Sequence, residues 1–126
     1  MKEYLEKDLG VPSDQIRTLL DEEASRSGIL QALVELREDP RIKKGDPILI
    51  FYAGHGSEID APQGWEAGGP KIQAIVPHDA SEFSPVVYPI PDRTLGALIN
   101  MLAKDKGDNI VRLSDYLWSK LSLTFV

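Results

Sequence analysis

Two histidines and no cysteine define the proton and nucleophile chemistry open to this chain. His55 stands between Gly54 and Gly56 at the end of the stretch PILIFYAGHGSE, Pro47 to Glu58, and His78 is followed directly by Asp79. Imidazole exchanges protons near neutral pH, which suits a general base. Flanking glycines permit a sharp turn and a close approach of backbone to a substrate. The acids Glu58 and Asp60 lie just beyond the histidine.

Three chemistries could use His55. An α/β-hydrolase would place a strand followed by His-Gly at its oxyanion loop, but needs a nucleophile on a G-x-S-x-G elbow, and the chain has none. A metal site could recruit His55 with Glu58, Asp60, His78 or Asp79, yet no H-E-x-x-H spacing is present. The acidic loop could still hold calcium weakly through oxygen ligands, and no other cofactor is indicated. The third is a Cys-His dyad, in which His55 would act on a thiol from the next core strand. A serine substitute is disfavoured, because Ser57 shares the histidine's own turn and Ser114 and Ser119 would need stronger base assistance than a thiol. Pro77-His78-Asp79-Ala80 reads as a solvated turn with side-chain caps. Tyr52, Trp65, Tyr88 and Trp118 read as core or rim aromatics.

Elements must carry these residues. Ile48 to Tyr52 is apolar without alternation, as in a central parallel strand covered on both faces. Gln15 to Leu20 reads as a strand, and Ser27 to Glu38 as a helix with Ile29, Leu30, Leu33 and Val34 at helical spacing before Pro40. Tyr4 to Leu9 reads as the end of a helix stopped by Gly10 and Pro12. Gly54 to Pro70 reads as a loop, and Ile72 to Val76 as a strand. Asp92 to Lys106 is a helix with Asp92 as N-cap and Gly107 as its stop. Leu113, Leu117, Leu121 and Thr124 suggest a short amphipathic helix at the end. Strands alternating with helices imply an α/β domain with a mostly parallel sheet flanked by helices. In such sheets chemistry sits beyond the carboxyl ends of central strands, where Gly54-His55-Gly56 falls.

Composition narrows the class. At 126 residues, 42% hydrophobic and 27% charged, the chain suits one globular domain. A net charge of -6 without a basic stripe argues against nucleic acid or an anionic membrane as partner. The polar start MKEYLEKDLG is unlike a signal peptide, so a cytoplasmic location is expected.

The ordered segments VPSDQIRTLLDEEASRSGILQAL, ILIFYAGHGSE, IQAIVPHDA and YPIPDRTLGALINMLAKDKGDNI resemble the large-subunit region of caspase-type cysteine peptidases, specifically the caspase-like and metacaspase-like domains common in fungi. The resemblance covers residues 1–110 and implies a caspase-like three-layer sandwich, incomplete at both ends, with 111–126 as a divergent tail. It implies that His55 is the catalytic base and that the Gly56 amide donates to an oxyanion hole. It also implies a peptide or protein substrate. After Gly-Asp-Asn-Ile the family carries a D-x-C-x-S-G type segment with the nucleophilic cysteine; here VRLSDYLWSKLSLTFV follows, with none. Two functions are therefore expected. One is a caspase-type endopeptidase domain, inactive as this chain. The other is a non-enzymatic pseudoprotease module that pairs with full-length caspase-like proteins.

Overall fold

The register around Ile48 organises the molecule. In the computed structural model, which describes residues 1–66, 68–80, 87–115 and 122–125, the apolar run becomes strand β2 (Ile48–Ala53). It lies in a four-stranded sheet with β1 (Arg17–Leu20), β6 (Ile110–Asp115) and β7 (Ser122–Phe125), in the order β1-β7-β2-β6. Between β2 and β6 come β3 (Gly56–Asp60), β4 (Lys71–Ile75), β5 (Ile90–Pro91) and helix α3 (Asp92–Lys106). Helix α1 (Lys2–Lys7) opens the chain, and α2 (Arg26–Glu38) connects β1 to β2.

The fold is mixed α/β, and in the four-stranded sheet β1, β2 and β6 point the same way. Among hydrogen-bonded neighbours in it, β2 and β6 run parallel, while β7 is antiparallel to both β1 and β2. Strands β3, β4 and β5 form a second sheet that is antiparallel throughout. The interval Gly54 to Pro70, expected as loop, thus contains β3. Its periodic signal is weak because Ile59 alone in that strand is even half-buried.

The end of the chain also differs from expectation. Residues 110–115 are a strand paired with β2 and 122–125 a strand paired with β1 and β2, where the leucine spacing suggested a helix. Six successive pairs with β2, from Ile48↔Ile110 to Ala53↔Asp115, fix the extended form of β6. Satisfying the backbone groups of a central strand outweighs a helical spacing of leucines. Leu117, Leu121 and the segment between the two strands lie outside the described residues.

Burial along β2 alternates. Ile48, Ile50 and Tyr52 are buried, while Leu49, Phe51 and Ala53 are half-buried. The buried set joins Ile29, Ala32 and Leu33 of α2 and Leu102 of α3 in the main core, with Leu95, Leu98 and Ile99 packed against it. Both long helices therefore cover one face of β2, rather than one helix covering each. On the edge strand β6, Val111 is 52% and Leu113 47% exposed.

Local chemistry sets the helix ends. Ser25 caps α2 by accepting the Gly28 N–H at 3.0 Å. At the start of α3 the N-cap is Pro91, in extended backbone, and the expected cap Asp92 is the first helical residue. Its carboxylate instead meets the Arg112 guanidinium at 3.2 Å, and its charge still complements the helix N-terminus. Gly107 stops α3 at a φ of 90°, with its N–H donated to the Ala103 carbonyl at 2.8 Å. That left-handed backbone favours glycine.

Candidate active site

Tyr52 and Val76 hold His55 in place through its backbone. The His55 carbonyl accepts the Tyr52 hydroxyl at 2.9 Å and the Val76 N–H at 2.9 Å. Tyr52 is itself 5% exposed, so the donor arises from the core. The residue is anchored while its side chain stays outside: His55 is exposed, and among the described residues its imidazole makes no hydrogen bond. An imidazole so placed can reach a bound molecule without first breaking an internal contact.

The hydrogen-bond parity of β3 fixes what Gly56 presents. Val76 N–H to His55 O and Ala61 N–H to Pro70 O, at 2.9 and 3.0 Å, bracket the β3–β4 ladder. Residue pairs of an antiparallel ladder alternate between bonded and non-bonded. Positions 55, 57, 59 and 61 therefore direct their backbone groups to β4. Gly56, Glu58 and Asp60 direct theirs the other way. The Gly56 N–H thus faces away from β4, beside the histidine. The flanking glycines are not needed for a left-handed turn, because the described positive-φ glycines are Gly10, Gly45, Gly64 and Gly107.

The sheet brings two further ends to the same level. Ala53, last in β2, pairs with Asp115 on one side and with Ser122 on the other. Strand β6 thus runs parallel to β2 and ends level with it, at the carboxyl end, where open α/β sheets place their ligands.

The other sequence candidates have different tasks. Asp79 Oδ1 accepts the Arg26 N–H at 2.8 Å, so it caps the start of α2 from across the chain. His78 is exposed, and its backbone N–H donates to the Ala24 carbonyl at 3.0 Å. The Ser57 hydroxyl lies 3.5 Å from the Glu58 carbonyl. Asp60 pairs with Lys71 at 2.6 Å. Among the described residues no group of three or more His, Asp or Glu is close enough to hold a metal ion. Ser119 lies outside the described residues.

Two arrangements were not legible in the sequence. Arg93, on the first turn of α3, stacks 5.2 Å from the Trp65 ring centroid and donates to the Glu66 carbonyl, tying the loop after β3 to α3. At the opposite end of β2, a cavity of about 590 Å³ is lined by Ile48, Arg17, Glu35, Asp39 and Arg41. There the Arg41 side chain, and then its backbone N–H, bonds Asp39 and holds that carboxyl down to about 2.

No protein-family model, curated protein or solved structure matches the chain.

Proposed function

We propose that this chain is a caspase-type peptidase domain of the caspase-like or metacaspase-like kind that keeps the base and the oxyanion donor, His55 and Gly56, and lacks the thiol nucleophile. The observation that carries the reading is the parallel pairing of β6 with β2, which ends at Ala53↔Asp115, two residues before His55. A dyad built on adjacent parallel strands needs that arrangement, and the apolar strand, the anchored histidine and the outward Gly56 N–H agree with it.

The strand at 110–115 also gives a reason to carry the comparison past Ile110. The family's D-x-C-x-S-G order meets Asp115, Leu117 and Ser119 in this sequence, with Lys120 in place of the glycine, and on that order the thiol position falls on Leu117. With leucine there, no acyl-enzyme can form. What remains is binding and stabilisation of an oxyanion, a small residue of the full catalytic effect. The chain then recognises peptides without cutting them.

The test is hydrolysis of a panel of fluorogenic peptides. The chain as it stands should give no turnover above buffer, and Leu117→Cys should give turnover that disappears when His55→Ala is added. Peptide hydrolysis by the unaltered chain that depends on His55 would overturn the reading.

A second reading, a module that pairs with full-length caspase-like chains, is favoured by the exposed Val111 and Leu113 on edge strand β6. Exposed apolar side chains on an edge left unpaired among the described residues suit a protein contact. Binding of a full-length relative that is lost in Val111→Lys and Leu113→Lys would support it, and equal binding by these variants would refute it.

A further inference from the structure

Strand β3 ends the second sheet on one side, and its five residues pair with β4 alone among the described residues. The register runs without a bulge from Gly56↔Ile75 to Asp60↔Lys71, and the strand contains no proline. By the alternation set at His55 and Ala61, the N–H and C=O groups of Gly56, Glu58 and Asp60 all face the unpaired side. Such a row is a template for another strand, and proteins that do not use one blunt it with charged side chains, above all lysine, with proline or with a bulge. Strand β3 has no lysine, proline or bulge, and its charges are the acids Glu58 and Asp60 alone.

We infer that the free edge of β3 takes an extended peptide as an added strand, bonded to the backbone of Gly56, Glu58 and Asp60, with a lysine or arginine of the peptide beside Glu58. The occupant follows from charge. Asp60 is already paired with Lys71, whereas Glu58 is exposed and has no ionic partner among the described residues. In the added strand, the residue opposite Glu58 places its side chain on the same face, where opposite charges attract and like charges repel. The net charge of -6 favours the same sign of partner at longer range.

Strand addition supplies affinity through the main chain and specificity through alternate side chains. On this edge it also has a direction of use. The peptide backbone runs along β3 toward Gly56, the residue next to His55, so one peptide carbonyl is delivered to the histidine end of the strand. The inference rests on the reading of His55 and Gly56 as a reacting centre for what the bound peptide is for, and not for the binding itself.

The experiment is amide hydrogen exchange, followed by NMR on the full chain, with and without a saturating acetylated and amidated Thr-Lys-Thr-Lys-Thr peptide. The amides of Gly56, Glu58 and Asp60 should slow by about tenfold or more, while Ser57 and Ile59, already bonded to β4, should not change. Glu58→Lys should weaken this peptide by about fivefold to tenfold and favour its Thr-Glu-Thr-Glu-Thr counterpart. The same lysine peptide with N-methylated backbone should not bind. Absence of the odd-even pattern, or equal binding of the N-methylated peptide, would overturn the inference. His55→Ala should leave the exchange pattern intact, so failure of the catalytic reading and failure of strand addition give different results.

Discussion

The Tyr52 hydroxyl donates to the His55 carbonyl oxygen at 2.9 Å, across the turn that carries the chain from β2 into β3. The same hydroxyl lies 3.3 Å from the Val76 carbonyl, so one buried group ties the histidine's turn to the end of β4. Tyr52→Phe keeps the ring in the core and removes this tie. A loss of about 1 kcal/mol in stability is expected, as for one buried hydrogen bond. Exchange of the Val76 amide should accelerate by more than that global change explains. Urea unfolding and amide exchange on the same sample check both statements.

The cap that Asp79 places on α2 joins residues far apart in the chain, since its carboxylate accepts the Arg26 N–H at 2.8 Å. Asp79→Ala leaves that donor to water and should cost about 1 kcal/mol in a urea titration. Asp79→Asn, which retains an accepting oxygen, should cost less.

Gly28 shows where helix propensity gives the wrong answer. In an exposed helix, alanine is favoured over glycine by about 1 kcal/mol. Here a Cβ would lie 2.3 Å from the Glu23 carbonyl oxygen. Gly28→Ala must therefore shift backbone, and a net destabilisation of about 1 to 3 kcal/mol is expected by thermal or chemical unfolding.

Acid titration should single out Asp39. Hydrogen bonds from Arg41 lower its carboxyl from 3.8 to about 2 in the folded chain. A depressed carboxylate stabilises the fold above its unfolded value, and that contribution fades as pH falls from about 4 toward 2. An NMR titration should place the Asp39 midpoint near the lower value, and Arg41→Gln should return it to the ordinary carboxylate range. An unchanged midpoint in the variant would show that Arg41 is not the cause.

Long elements with one dominant pattern were readable in advance. The helix read as Asp92 to Lys106 has those bounds, and the strand read as Ile48 to Tyr52 extends one residue further. Strand β3 was not readable, because its residues are mostly solvated and its pairing depends on β4 arriving beside it. Leu113, Leu117, Leu121 and Thr124 misled in another way: their spacing fits a helix, but the strands at 110–115 and 122–125 are set by pairing with β2. At the site, His55 stood out because it follows a buried strand between glycines. The role of Tyr52 did not, since a tyrosine in an apolar run reads as core and its hydroxyl's partners come from the turn and from the end of β4.

The central proposal is that the family's thiol position falls on Leu117 and that His55 is its base. Leu117 is two residues past Asp115 as His55 is two past Ala53, and Ala53 pairs with Asp115. The most direct measurement is the pH dependence of iodoacetamide alkylation of Leu117→Cys, with and without His55→Ala. An unperturbed thiol titrates near about 8.5, and a neighbouring imidazolium lowers that value. The account predicts a midpoint well below the ordinary value that rises when His55 is replaced. Identical alkylation profiles for the single and the double variant would contradict it.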